Sequence, residues 1–183
     1  MKHSILALCF FALASAAILP VYGQVVPSAT SSSLNLRVGG FGSGFQPDYA
    51  GNGVAQTGPD RLYGFGAFAD ARFTRWIQPE IEMRWLHFNQ FQGIDENTYS
   101  IGERLPIINS FHGLTPYGKL LIGIGNGTFL TGNAFVVTYG GGVDYRLTRK
   151  FTLRAVDFEY QQWHVNPTLW PYGISVGLSY KVF

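Results

Sequence analysis

From Tyr172 to Val182 every second residue is large and apolar, and the residues between are small or charged. Tyr172, Ile174, Val176, Leu178, Tyr180 and Val182 alternate with Gly173, Ser175, Gly177, Ser179 and Lys181. Side chains on a β-strand point to opposite faces with a period of two, so this stretch predicts a strand with one apolar and one polar face. The pattern recurs. In 135–146, Phe135, Val137, Tyr139, Val143 and Tyr145 oppose Thr138, Gly140, Gly142, Asp144 and Arg146, with Val136 out of phase. In 62–73, Tyr63, Phe65, Ala67, Ala69, Ala71 and Phe73 oppose Gly64, Gly66, Asp70 and Arg72, with Phe68 out of phase.

The apolar faces hold five or six alternating positions, which matches the roughly 9–11 residues of a tilted strand crossing a bilayer. The opposite faces mix Gly, Ser and Thr with charges of both signs. That mixture suits a narrow lumen filled by side chains better than a solvated surface. Large aromatics fall near strand ends, at Trp76, Phe151, Trp163, Trp170, Tyr172 and Phe183, and are expected to form an aromatic girdle at the membrane interfaces. With 23 glycines in 183 residues the chain carries nearly twice the usual ~7%, which favours turns and short strands over helix.

Strands are expected at about 34–43, 61–73, 77–89, 98–109, 116–126, 135–147, 151–163 and 172–183. Eight is an even number, so the fold class is all-β: an eight-stranded antiparallel up-and-down transmembrane β-barrel. Tight connections at 74–76 and 148–150 alternate with longer ones at 44–60, 90–97, 127–134 and 164–171, as periplasmic turns alternate with extracellular loops. The 110–115 turn fits this scheme least well. The alternation fails around Gly102-Glu103-Arg104. It also changes phase in 151–163, where a bulge near Ala155–Val156 would restore it.

Ahead of the barrel, Lys2 and His3 precede an apolar run from Ile5 to Leu19, the layout of a secretory signal. Cleavage is expected after Val21-Tyr22-Gly23, with Ala14-Ser15-Ala16 as the alternative site and a retained anchor as the alternative outcome. The domains are then a signal peptide at 1–23, a short lead-in at 24–33 and the barrel at 34–183. Cys9 is the sole cysteine and lies in the signal, so the mature chain offers no disulfide and no thiolate ligand.

Assigning each strand by its apolar face collects the ionisable residues on the other. The inward set is Arg37, Asp70, Arg72, Glu80, Glu82, Arg84, Arg104, Lys119, Asp144, Arg146, Arg154, Asp157, Glu159 and Lys181. Placing Lys or Arg against lipid costs about 2–4 kcal/mol at the midplane. An eight-stranded barrel has room inside only for side chains. Charges of both signs must pair there, so a network that plugs the lumen is expected.

These features resemble those of the bacterial outer-membrane β-barrel family that includes OmpA-type transmembrane domains. Ser175-Val176-Gly177-Leu178-Ser179-Tyr180-Lys181-Val182, closed by Phe183, fits the family's C-terminal assembly signal, carried by Gly177, Tyr180, Val182 and Phe183. Leu153 to Trp163 is similar to a recurring seventh strand of small porin-like barrels. The resemblance implies an outer-membrane location and contact with membrane lipid and lipopolysaccharide. It also implies recognition by the outer-membrane assembly machinery and periplasmic chaperones. A monomer is expected.

Other chemistries are weakly signalled. Glu80 and Glu82 with Arg84 share a strand face, where an acid–base pair would need to be, but a salt-bridge cluster is the simpler expectation. His87, His112 and His164 have no metal-ligand spacing, and no cofactor is expected. His112 near Ser110 is the one hint of a rim enzyme acting on lipid. The loop acids Asp48, Asp60, Asp95 and Glu96 could bind divalent cations weakly. A net charge of +2 gives no reason to expect a nucleic-acid partner. The competing functions are a structural or small-pore barrel without chemistry, a lipid-modifying enzyme, and a secreted soluble barrel with its apolar faces turned inward.

Overall fold

The computed structural model describes residues 35–48, 61–74, 77–89, 94–107, 112–128 and 130–182. The expected signal and lead-in, Trp76, Ser110, Asp60 and Phe183 lie outside them. Eight strands follow one another: β1 (Asn35–Gln46), β2 (Leu62–Arg72), β3 (Pro79–Asn89), β4 (Glu96–Pro106), β5 (Leu114–Gly127), β6 (Ala134–Arg146), β7 (Phe151–His164) and β8 (Tyr172–Lys181). Each pairs antiparallel with the next, and β1 pairs with β8 from Arg37↔Lys181 to Gln46↔Tyr172, closing the barrel.

The period of two sets which way every strand faces. On β8, Tyr172, Ile174, Val176, Leu178 and Tyr180 are exposed on the outer wall, while Gly173, Ser175, Gly177 and Ser179 are buried. Ile81 and Met83 on β3, Ile101 on β4, and Leu120, Ile122 and Ile124 on β5 are likewise exposed outside. Across the sheet, Glu80, Glu82, Arg84, Arg104 and Lys119 are buried. The apolar faces therefore point out and the charged faces in, the reverse of a soluble barrel.

Phe68 and Val136, the residues out of phase, are buried inside the barrel rather than turned out. Their strands do not slip, and these two apolar side chains fill lumen space that small neighbours leave. The expected bulge lies on β7, where the pairing with β8 jumps between Arg154 and Asp157. The β6 pairing jumps at the same place, from Val143↔Val156 to Asp144↔Arg154, leaving Ala155 without a partner.

β4 differs from its expectation. It begins at Glu96 and holds one register throughout, with Glu96, Thr98, Ser100 and Arg104 buried. No break occurs at Gly102-Glu103-Arg104. Glu103 keeps the outward phase at the strand's end, where its carboxylate accepts a hydrogen bond from the Gln78 amide. Likewise β1 runs on to Gln46, which adds Phe45 to the interior.

One end of the barrel carries short connections. In the β6–β7 turn the Thr148 hydroxyl accepts hydrogen bonds from the Lys150 and Phe151 amides at 3.2 and 2.9 Å. In the β4–β5 turn, the least regular in sequence, His112 (φ 49°) and Gly113 (φ 85°) take the left-handed conformation that glycine enters without strain. This end also holds the start of β1 and the end of β8. The end of β1, the start of β8 and the 165–171 connection lie at the other.

Candidate functional site

The lumen is built from pairs of inward positions on neighbouring strands. β3 contributes Glu80, Glu82 and Arg84, two residues apart and therefore on one face. β7 contributes Arg154, Asp157 and Glu159, and here the spacing is three and then two. On a regular strand Arg154 and Asp157 would face opposite ways, but the extra residue at the bulge turns both inward. β1, β2, β4, β5 and β6 add Arg37, Asp70, Arg104, Lys119 and Asp144.

These side chains form an unbroken succession of ion pairs along the barrel. Arg37 meets Asp70 at 2.9 Å and Asp144 at 3.0 Å, and Arg104 meets Asp144 at 2.8 Å. Arg104 is also 3.7 Å from Glu80, which pairs with Arg154 at 2.8 Å. Arg154 reaches Asp157 at 3.1 Å and Glu82 at 3.4 Å. Arg84 pairs with Glu82 at 2.7 Å and with Glu159. In this network the five cations Arg37, Arg84, Arg104, Lys119 and Arg154 stand against the six carboxylates Asp70, Glu80, Glu82, Asp144, Asp157 and Glu159.

Glu82, Asp157 and Glu159 bring a carboxylate oxygen each to within 4.8 Å of one another, close enough to hold a cation. The Lys119 ammonium already sits among them, donating to Glu82 at 3.0 Å, to Asp157 at 2.6 Å and to Glu159. Lys119 is thus a tethered counter-ion for a carboxylate trio that would otherwise repel strongly when buried.

Inward aromatics flank the guanidinium groups. Arg154 lies 3.6 Å from the centre of the Phe68 ring, Arg104 3.4 Å from that of Tyr117, and Arg84 4.4 Å from that of Phe45. A guanidinium over an aromatic face gains both packing and charge–quadrupole attraction. The buried Gln78 extends the polar network by donating to Asp70 at 2.6 Å. Towards the long loops the polar lumen ends under two apolar clusters. One is Phe45, Leu62 and Leu86 with Ile94; the other is Ala134, Val136 and Trp163 with Leu130, Val165 and Leu169. Gly125 makes the second possible, because any Cβ there would collide with the Trp163 ring at 2.5 Å.

The structure therefore gathers most of the inward set and corrects the rest. Arg72, Arg146 and Lys181 join no ion pair among the described residues. Arg72 and Lys181 are half-buried and Arg146 is exposed. All three have the inward phase but sit where their strands end, beyond ion-pair distance of the buried acids. Trp163 is a correction to the expected aromatic girdle. It is fully buried inside the barrel, its indole N–H donating to Gln161 at 3.0 Å, because β7 past the bulge carries odd-numbered residues inward. Phe151 and Tyr172 are exposed on the outer wall, Phe151 against Tyr180 and Tyr172 against Tyr160. Trp170 is half-buried against Tyr160. Gly177 is buried and Tyr180 and Val182 are exposed on or beside β8.

Glu96 reads in sequence as a loop acid and is instead a buried first residue of β4. Sequence reading also misses the buried Gln78, Gln161 and Tyr117 and the Ser43–Ser175 hydroxyl pair at 2.7 Å. Their inward phase is the available signal. Of the histidines, His87 contacts Asn97 at 2.7 Å and the His164 ring packs at a tilt against Phe135, both towards the long loops, whereas His112 lies in a turn at the other end.

A family model described as outer membrane protein beta-barrel domain matches residues 4–181. Among solved structures, the chain is similar to Neisserial surface protein A, with 14% identity and a TM-score of 0.59 over 84% of this chain and 99% of that one. It is also similar to the outer membrane protein OprG of Pseudomonas aeruginosa, with 11% identity and a TM-score of 0.51 over 81% and 95%. At such identities the likeness is one of fold. No curated protein matches the chain.

Proposed function

The chain belongs to the outer membrane protein beta-barrel domain family and resides in the bacterial outer membrane, and from that premise we propose that it is a structural, porin-like barrel of the small-pore class whose lumen is plugged by paired charges. The observation that carries this reading is the continuous succession of ion pairs from Arg37 to Arg84, stacked on aromatics and covered towards the loops by the Trp163 and Phe45 clusters. Side chains occupy the cross-section that a diffusing solute would need.

In this reading the barrel spans 34–183 and follows a cleaved signal at 1–23. It acts as a monomer without enzymatic chemistry, and its outer wall contacts membrane lipid, including lipopolysaccharide. The assembly machinery and periplasmic chaperones recognise β8 through Gly177, Tyr180, Val182 and Phe183. The aromatics Phe151, Tyr172, Trp170 and Trp76 serve the membrane interfaces. Proteoliposome swelling tests the plug. Vesicles containing the protein should swell in small neutral sugars no faster than empty ones, and swelling at a porin-like rate would overturn the reading.

A further inference from the structure

The lumen obeys one rule along most of its length: every buried cation has a carboxylate. The pairing stops at the end that carries the short turns, where the cations are half-buried or exposed. There a concavity of about 190 Å³ is lined by Arg37, Arg72, Arg146, Arg149 and Lys181, with Asp144 as the one acid. Asp144 is already shared between Arg37 and Arg104. Arg72, Arg146, Arg149 and Lys181 have no ion-pair partner among the described residues. The Arg72 Nε is shielded from solvent and has no hydrogen-bond partner among them either.

We propose that this mouth is an anion site that binds a phosphate group. Guanidinium groups present forked N–H donors that match phosphate oxygens, and a lysine ammonium adds a flexible point charge. Arg72 stands on the wall at the end of β2, with Lys181 at the end of β8 and Arg146 and Arg149 around the β6–β7 turn, so the donors converge from three sides. A concavity of this volume has room for a phosphate or pyrophosphate. The site shares Arg37 and Asp144 with the ion-pair network that closes the lumen, so a ligand there would bind below the closed part of the pore.

Calorimetric titration of the folded protein in nonionic detergent at low salt tests the site, with pyrophosphate as one probe and a short-chain phosphatidylglycerol as the other. Saturable binding is expected, weakened at least about tenfold by Arg146→Gln with Lys181→Gln. Arg61→Gln at the opposite end is expected to leave it unchanged. Both variants should keep the heat-modifiable migration of a folded barrel. Binding of pyrophosphate identifies a soluble phosphate ligand, and binding of the lipid alone identifies a headgroup. No saturable binding of either probe, or binding that survives the double substitution, or equal loss in Arg61→Gln, overturns the proposal.

Discussion

Arg154 and Asp157 lie three positions apart on one strand, yet their side chains meet at 3.1 Å inside the barrel. A regular strand would place them on opposite faces. The unpaired Ala155 resolves the conflict, and the β7 share of the charged lumen depends on it, because Asp157 and Glu159 follow its downstream phase. Deleting Ala155 should force either Arg154 or both acids towards lipid, at about 2–4 kcal/mol for the arginine at mid-depth. The deletion chain is expected to lose its heat-modifiable folded band, while deletion of the exposed Gly132 in the β5–β6 connection keeps it. A folded band in both would show that the bulge is dispensable.

Lys119 bridges Glu82, Asp157 and Glu159 at once. Lys119→Met leaves the trio without its central cation, and removing one partner of a buried pair costs about 3–5 kcal/mol. Urea titration of the protein in lipid vesicles should show a lower midpoint, partly restored when Glu159→Gln is added. An unchanged midpoint in Lys119→Met would mean that the ion pairs hold nothing.

Trp163 and Trp85 should report opposite environments. Trp163 is enclosed with Ala134 and Val136, whereas Trp85 packs against Phe65 and Tyr99 on the outer wall. In chains retaining a single tryptophan, lipids brominated on their acyl chains should quench Trp85 and spare Trp163. Strong quenching of Trp163 would return it to the membrane belt. Trp163→Ala should also cost about 3–5 kcal/mol, as expected for a large buried side chain.

Most of this architecture is legible in the sequence because one period governs both faces of every strand. Ile174 and Ser175 read correctly without any knowledge of their neighbours, and the phase change at Ala155–Val156 marks its own bulge. What escapes is whatever depends on depth or on a partner across the barrel. Phe68 and Val136 look like errors of phase until Arg154 and Trp163 are seen opposite them. Trp163 carries no mark distinguishing a lumen plug from an interface anchor. Arg146 has the right phase, but only the register shows that its strand has ended. Glu96 is hidden because an acid beside Asp95 in a polar stretch resembles a loop.

The outer wall makes a simpler prediction. Ile174 and Val176 are exposed there at 51% each. Arginine at either position should destabilise the barrel by about 2–4 kcal/mol in vesicles, whereas Ile174→Leu should cost under about 1.5 kcal/mol. Equal midpoints for the arginine and leucine variants would mean that this wall does not face hydrocarbon.

The central claim is that paired charges close the lumen, and single-channel recording in planar bilayers addresses it most directly. The folded protein should insert with a flat current trace, free of stable ohmic steps of porin size across ordinary salt concentrations. Long-lived, porin-sized steps from the unaltered protein would contradict the claim, because the side chains from Arg37 to Arg84 would then have to leave an open path between them.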